Sequence, residues 1–280
     1  MAAALVNGRS TDRVSIADRG LAYGDGLFET VAVRAGRPCL WREHLERLEL
    51  GAKRLGIPCP PRELLREEGE RLIAGTLQCV LKILLTRGPG GRGYRPQSDA
   101  RPTRILSCSE APEHPLAWRR RGVAVTFCAT PLGENPSLAG VKHLNRLEQV
   151  LARSEWSDPD IAEGIMCDVR RRVVGGTMSN LFLLARGCLT TPRLDYCGIA
   201  GTMRRRVLES AAAAGLETRE AFVTRRDLAA ADGLFLTNAL IGIWPVRRLG
   251  STELDVGRLP MELMDRWCEA AFTPDDWRVA

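Results

Sequence analysis

Lysine is almost missing from this chain. Of 40 basic residues in 280, only Lys53, Lys82 and Lys142 are lysines, and the rest are arginine. Arginine keeps its proton at any working pH, so it cannot serve as an amine nucleophile. Covalent amine chemistry is thereby confined to those three lysines and the N-terminus. Histidine is as scarce, at His44, His114 and His143, and the nine cysteines include no Cys-x-x-Cys pair. No His/Cys group has metal-ligand spacing, so no metal is expected. There is no run of 18 apolar residues, and no helical membrane span is expected. Met1 to Gly8 has neither a charged n-region nor a long apolar core, so it does not read as a signal peptide. An odd cysteine count without a pairing pattern points to reduced thiols and a cytoplasmic protein. Aromatics are 5% of the chain, and no pattern of stacking aromatics among basic residues suggests an RNA-binding module.

What is present fits a folded enzyme-sized protein. Apolar residues make up 45% and charged residues 26%, ordinary values for a globular chain. The net charge of +6 is too mild to argue for nucleic acid. The arginine clusters at 119–121, 170–172 and 204–206 read as solvated faces. An anionic substrate would need particular arginines rather than a total.

Hydrophobic periodicity marks the elements. Leu27 to Arg34 alternates as a strand, with Leu27, Glu29, Val31 and Val33 on one face and Phe28, Thr30 and Ala32 on the other. Cys39 to Trp41 is expected to return as its partner. Residues 42–55 and 61–74 read as helices, the first ended by Gly56 and Pro58. Residues 80–87, 104–109 and 123–129 read as strands. A helix over 145–156, a helix over 202–214 and a last helix over 261–271 are interleaved with strands at 161–168, 181–184, 217–223, 233–237 and 243–249. Residues 16–26, with three glycines, read as an irregular loop. The mixture lacks strict strand-helix alternation, so α+β with mostly antiparallel sheets and flanking helices is expected. A proline-rich, basic stretch divides the chain into an N-terminal domain (1–112), a linker (113–121) and a C-terminal domain (122–280).

Lys53 falls on the polar side of its helix, and Lys82 reads as a lysine lying over a sheet surface with its head in water. Lys142 stands just before a helix, after a proline-bounded strand region. A lysine so placed can form a Schiff base with a carbonyl, the aldehyde of pyridoxal phosphate included. A phosphate cofactor further wants a helix N-terminus and a fixed cation. Gly201-Thr202-Met203 offers the first and Arg47 is one candidate for the second.

Several runs together carry a family resemblance: Asp18-Arg19-Gly20 with Tyr23-Gly24-Asp25-Gly26-Leu27-Phe28-Glu29-Thr30, His44-Leu45-Glu46-Arg47-Leu48, Thr86-Arg87-Gly88, Gly176-Thr177-Met178-Ser179-Asn180 and Gly201-Thr202-Met203-Arg204. In these the chain resembles the fold-type IV pyridoxal-phosphate enzymes, which include branched-chain and D-amino-acid aminotransferases. Its Gly91-Arg92-Gly93-Tyr94 and 142–150 runs are most similar to aminodeoxychorismate lyases. The resemblance implies a two-domain fold with the cofactor between the domains, and a homodimer acting on a small dicarboxylate, with no nucleic-acid or membrane partner. It implies that Lys142 is the Schiff-base and proton-transfer lysine. Arg47, Gly201, Thr202, Met203, Asn238 and Ala239 would hold pyridoxal 5'-phosphate, while Tyr23, Phe28, Arg87, Arg92 and Tyr94 would lie near substrate. The implied reaction turns 4-amino-4-deoxychorismate into 4-aminobenzoate and pyruvate, in folate biosynthesis. Aminotransferase activity on the same fold is the alternative. A weakened or non-catalytic cofactor-binding protein is another, because Gly175 stands where the family carries the glutamate that faces the pyridine nitrogen.

Overall fold

The computed structural model describes residues 4–273 and Trp277. Two compact units make up the chain. One comprises Met1–Pro112, Val141–Asn145 and Phe272–Ala280, the other Glu113–Gly140 and Arg146–Ala271. The short segment that carries Lys142 therefore belongs with the first unit, although it lies within the sequence of the second.

In the first unit the elements are β1 (Ala4–Val6), β2 (Arg9–Ser10), α1 (Arg19–Tyr23), β3 (Gly26–Arg34), β4 (Arg37–Pro38), α2 (Trp41–Leu55), α3 (Arg62–Ile73), β5 (Cys79–Thr86) and β6 (Thr103–Ser109). The strands form one sheet in the order β2-β1-β6-β5-β3-β4, with every neighbouring pair antiparallel. Alternation decides its two faces. Leu27, Val31, Val33, Leu81, Ile83, Leu85 and Leu106 point into a core completed by Trp41, Leu45, Leu48 and Ala52 of α2 and Leu65 of α3. Burying each large apolar side chain contributes about 1.5–3 kcal/mol. Phe28, Thr30, Lys82, Leu84, Ile105 and Ser107 lie on the opposite face, none of them in the core.

Two expectations change here. The expected strand at Cys39 to Trp41 is shorter and earlier. Cys39 N donates to Ala32 O at 2.8 Å, and Trp41 then opens α2 because its indole is needed in the core. The glycine-rich 16–26 segment is not wholly irregular, since α1 forms within it. Asp18 accepts from Gly20 N at its start, and Gly24, in a left-handed conformation, closes it.

In the second unit follow α4 (Ala117–Arg121), β7 (Val123–Phe127), α5 (Leu147–Arg153), β8 (Ile161–Cys167), β9 (Val173–Gly176), β10 (Asn180–Ala185), β11 (Cys188–Pro192), α6 (Thr202–Ala213), β12 (Glu217–Ala221), α7 (Arg225–Ala229), β13 (Gly233–Asn238), β14 (Gly242–Leu249), β15 (Thr252–Glu253) and α8 (Met261–Phe272). Its sheet runs β12-β11-β10-β13-β14-β7-β8-β9, with β15 added on β14. Three of its ladders are parallel: β11 with β12, β14 with β7, and β7 with β8. The stretch expected as a linker is folded into this unit. His114 and Trp118 each set a ring edge-on to Trp244, at 4.8 and 4.9 Å between centroids. Two large aromatic surfaces outweigh the prolines and arginines around them.

Candidate active site

Lys142 is positioned by backbone pairing. The free edge of β3 at Gly26 to Phe28 takes up residues 142–144 as an added antiparallel segment. Phe28 N donates to Lys142 O at 3.1 Å, Leu144 N donates to Gly26 O at 2.9 Å, and Leu27 faces His143. In an antiparallel pair, directly opposed residues share a face. Lys142 therefore stands beside Phe28 on the sheet face away from the core, with Nζ 4.1 Å from the ring centroid. A ring face attracts a cation at this distance.

The glycine run before β3 makes room for this segment. Gly24 has φ of 64°, and a Cβ there would lie 2.4 Å from Asn145 Oδ1. Asn145 Nδ2 donates back to Gly24 O at 3.2 Å. The close approach of the Lys142 segment thus requires glycine at 24.

Beneath the same strand lies a buried charge cluster. Glu29 is buried on the core face and accepts from Arg47 Nε at 2.8 Å, from Arg47 NH2 at 2.5 Å and from His44 Nδ1 at 2.5 Å. Burial pushes the Glu29 carboxyl up, but Arg47 and His44 outweigh it and hold the value at about 2. His44 is pushed below its usual value, first by burial, with Arg47 and Lys142 adding to the effect and Glu29 opposing it. Its Nε2 is buried with no hydrogen-bond partner. That fits a neutral ring that donates from Nδ1, because a proton on Nε2 would be stranded. The glutamate thus fixes one edge of the Arg47 guanidinium.

The other residues expected near substrate divide by exposure. Arg87 is buried and spends its guanidinium inside the protein, on both Asp25 oxygens and on the carbonyls of Leu55 and Gly56. It works as a strut. Asp25 also takes Arg19 Nε at 2.9 Å. Burial raises the Asp25 carboxyl, and the two arginines more than reverse this. Arg19 in turn holds the carbonyls of Gly93 and Tyr94 and lies over the Tyr23 ring. The rings of Tyr23 and Tyr94 are 5.4 Å apart. Arg92, Tyr23 and Tyr94 are exposed.

The second unit presents an anion cradle of its own. Gly201 precedes α6 in extended conformation, and no side chain caps the helix. Its first-turn N–H groups therefore have no side-chain acceptor there. Asn180 holds the approach, accepting from Gly201 N at 3.1 Å and donating to Ile199 O at 2.8 Å. Thr202 Oγ1, in that first turn, and Thr237 Oγ1, near the end of β13, are buried with no partner. Each such hydroxyl costs about 1–3 kcal/mol. Next to Thr237, Asn238 Oδ1 accepts from Leu240 N and Ile241 N and shapes the turn that includes Ala239. Two orphaned donors and an uncapped helix start fit a phosphate monoester, which brings only acceptors and negative charge. Glu29 was missed in the sequence, and Thr237 was legible only as part of the polar Thr237-Asn238-Ala239 turn beside a strand. A carboxylate on an otherwise apolar strand face was the signal for Glu29.

Gly175 also has a local reason. A Cβ there would stand 2.8 Å from the backbone oxygen of Ser179, in a hairpin closed by Gly176 N donating to Ser179 O at 2.8 Å. The buried carboxylate at this hairpin is Glu163. It accepts from the backbone N–H groups of Gly164, Thr177 and Met178 and from the hydroxyls of Thr177 and Ser179. Those five donors occupy it.

Comparison with known proteins agrees with this chemistry. The family model for class IV amino-transferases matches residues 26–249. An aminodeoxychorismate lyase of Vibrio harveyi is 37% identical over 262 residues, covering 92% of this chain and 97% of that protein. The crystal structure of 4-amino-4-deoxychorismate lyase from Pseudomonas aeruginosa is 50% identical with a TM-score of 0.90, covering 94% of this chain and 97% of that one. A hypothetical aminotransferase from Mycobacterium tuberculosis in a PLP-bound form shares the fold, at 24% identity and a TM-score of 0.83, with 97% and 99% covered. With a lysine held over an aromatic ring on one sheet and a phosphate-ready helix start in the other unit, this chain belongs to the class IV amino-transferase family.

Proposed function

We propose that this chain is a pyridoxal-phosphate-dependent lyase that converts 4-amino-4-deoxychorismate to 4-aminobenzoate and pyruvate, as a cytoplasmic homodimer. The observation that carries the reading is Lys142 held over Phe28, in a chain half identical to a protein named for that reaction. Nine free cysteines fit a reducing compartment. Leu147, Val150 and Leu151 make an exposed apolar row on α5, at the i, i+3, i+4 spacing that a second copy would cover.

Bound pyridoxal phosphate supplies an aldehyde that condenses with amines and a conjugated ring that accepts electrons from the adjacent carbon. Arg47, steadied by Glu29, offers the phosphate a fixed positive charge. Thr202 and Thr237 hydroxyls offer it donors, with the backbone of Gly201, Thr202, Met203, Asn238 and Ala239 around them. Lys142 Nζ is the attaching amine. Released from that role, it takes the proton from the substrate carbon that bears the amino group. With that proton gone, the bond from the ring to the enolpyruvyl oxygen breaks and the ring becomes aromatic. The expelled enolpyruvate is protonated on carbon and leaves as pyruvate. Tyr23, Phe28, Arg92 and Tyr94 are the substrate-side groups, and Arg87 serves them through Asp25.

Incubation of the holoprotein with 4-amino-4-deoxychorismate is expected to release 4-aminobenzoate and pyruvate in equal amounts, and Lys142→Ala to release neither. Transfer of an amino group to a keto acid, with no 4-aminobenzoate, would make the chain an aminotransferase instead. Cofactor absorbance without either product would make it a binding protein only.

A further inference from the structure

The glycine-rich segment after β5 is exposed from residue 91 to residue 99. At its start it is held by backbone. Arg19 N donates to Gly88 O at 3.0 Å, and Gly90 N donates to Ala17 O at 3.1 Å. Beyond Gly90 the Arg19 side chain takes over. Its NH1 donates to Gly93 O at 3.0 Å and its NH2 to Tyr94 O at 2.9 Å. Among the described residues, no other hydrogen bond ties residues 91–100 to the rest of the chain.

Arg19 is itself buried and held in place. Its Nε donates to Asp25 Oδ2 at 2.9 Å, and its guanidinium carbon lies 4.9 Å from the Tyr23 ring centroid. Asp25 is pinned in turn by Arg87, which also binds the carbonyls of Leu55 and Gly56. The segment passes close over the Arg19 stem, since a Cβ on Gly90 would stand 2.7 Å from Arg19 Cδ. Three guanidinium nitrogens thus have three separate acceptors, in a planar fork that lysine cannot reproduce. The turn held in this way carries Arg92 immediately before the two anchored carbonyls. It also carries Tyr94, whose ring packs 5.4 Å from that of Tyr23.

We propose that Arg19 is a positioning residue for substrate binding, which clamps the 91–94 turn and so presents Arg92 and Tyr94 in one arrangement. That these two groups meet substrate rests on the lyase reading, while the clamp rests on the Arg19 hydrogen bonds. A turn already in place spares the substrate the entropy of ordering it. A turn only fractionally in place weakens apparent binding by that fraction.

The test uses holoprotein of wild type and Arg19→Met, which keeps the stem and removes the fork. Asp25 retains Arg87 in that variant. Gly90→Ala is a second route, pressing the segment off the Arg19 stem with the guanidinium intact. Arg95 and Arg101 each precede proline, a bond that trypsin leaves uncut, so Arg92–Gly93 is its one target between residues 88 and 102. Cutting there is expected to quicken about tenfold or more in Arg19→Met, and by less in Gly90→Ala, as the open form becomes more populated. With 4-amino-4-deoxychorismate, Arg19→Met should raise KM about tenfold and change kcat less than about threefold, because uniform binding is what is lost. Arg19→Lys should not restore KM. In a background of Arg92→Met with Tyr94→Leu, adding Arg19→Met should change KM less than about threefold, since the groups it positions are gone. A merely structural Arg19 would cost the same in both backgrounds, and that result overturns the proposal. So does cutting at Arg92 that is equally slow in wild type, Arg19→Met and Gly90→Ala. Failure of wild type to make 4-aminobenzoate sinks the lyase reading alone, because the trypsin comparison still decides whether Arg19 clamps the turn.

Discussion

Glu29 grips Arg47 through two nitrogens, at 2.8 and 2.5 Å, from a strand face that is otherwise apolar. A buried carboxylate survives there only because the guanidinium and His44 satisfy it. Glu29→Gln would keep the shape and remove the charge. The Arg47 guanidinium would then lose the carboxylate charge that fixes this edge. Pyridoxal-phosphate affinity, followed by absorbance titration, is expected to fall about tenfold or more, as for loss of a charge-assisted contact. Affinity equal to wild type would show that Arg47 does not depend on Glu29 for its place.

The same cluster sets an acid response. Glu29 is depressed from 4.5 to about 2 in the fold, so it stabilises the native state above pH 4.5, and that contribution is lost as pH falls toward 2. His44 is depressed from 6.5. The unfolded chain therefore takes up its proton first, and stability begins to fall as pH drops through 6.5. Urea unfolding across pH 3–8 should find both losses. His44→Asn should flatten the upper one and move the lower toward higher pH, since His44 helps to hold the Glu29 carboxyl down. A stability that is level from pH 7 to pH 5 would contradict the neutral, buried histidine.

Threonine hydroxyls at 202 and 237 make an opposite pair of expectations. Each is buried with no partner in the protein. Replacing a stranded hydroxyl by a methyl of the same shape is neutral or stabilising. Thr202→Val and Thr237→Val should therefore leave the melting temperature of the cofactor-free protein unchanged or raised. Pyridoxal-phosphate affinity should fall about 5- to 30-fold in each, the worth of about one hydrogen bond to a charged group. Parallel losses of apo stability and affinity would mark the hydroxyls as structural.

Gly24 and Asn145 are joined by contact across 121 positions of sequence. Gly24→Ala meets both a left-handed φ and the Asn145 side chain. A loss of about 1–3 kcal/mol in stability is expected, together with weaker attachment of the cofactor to Lys142. Adding Asn145→Ala removes the clash but not the backbone strain, so the double variant should recover part of the loss and not all of it. Simple additivity would mean that the two residues are not coupled.

Much of this was legible in the sequence, and the gaps have physical causes. Scarcity left three candidate amines, of which position and resemblance favoured Lys142, and period-two alternation gave β3 with both faces correct. The extra pairing of 142–144 with β3 was hidden, because backbone ladders between distant segments leave no local pattern. β9 was hidden as well, since Val173-Val174-Gly175-Gly176 reads as a turn until its partner β8 is present. Lys82 on its alternating strand was visible, but the ring it shares with Lys142 depends on register. Thr237 gave only the weak signal of a polar turn, because a threonine in a strand is ordinary until its hydroxyl proves to have no partner.

Gly175 yields the last prediction. If only a carboxylate were missing there, Gly175→Glu would simply restore it and strengthen the cofactor as an electron acceptor. The hairpin argues otherwise. A Cβ would press to 2.8 Å on the Ser179 backbone oxygen, which already accepts from Gly176 N, and backbone cannot yield as a flexible side chain does. The loop that would have to move is tied by four hydrogen bonds to Glu163. Gly175→Ala isolates the steric part, and Gly175→Glu adds the charge. Both are expected to lower stability by about 1–3 kcal/mol, as overpacking does, and neither to raise turnover. Urea midpoints and kcat for the pair decide it. If Gly175→Glu is as stable as wild type and faster, the hairpin admits a side chain, and the glycine is a lost carboxylate rather than a packing requirement.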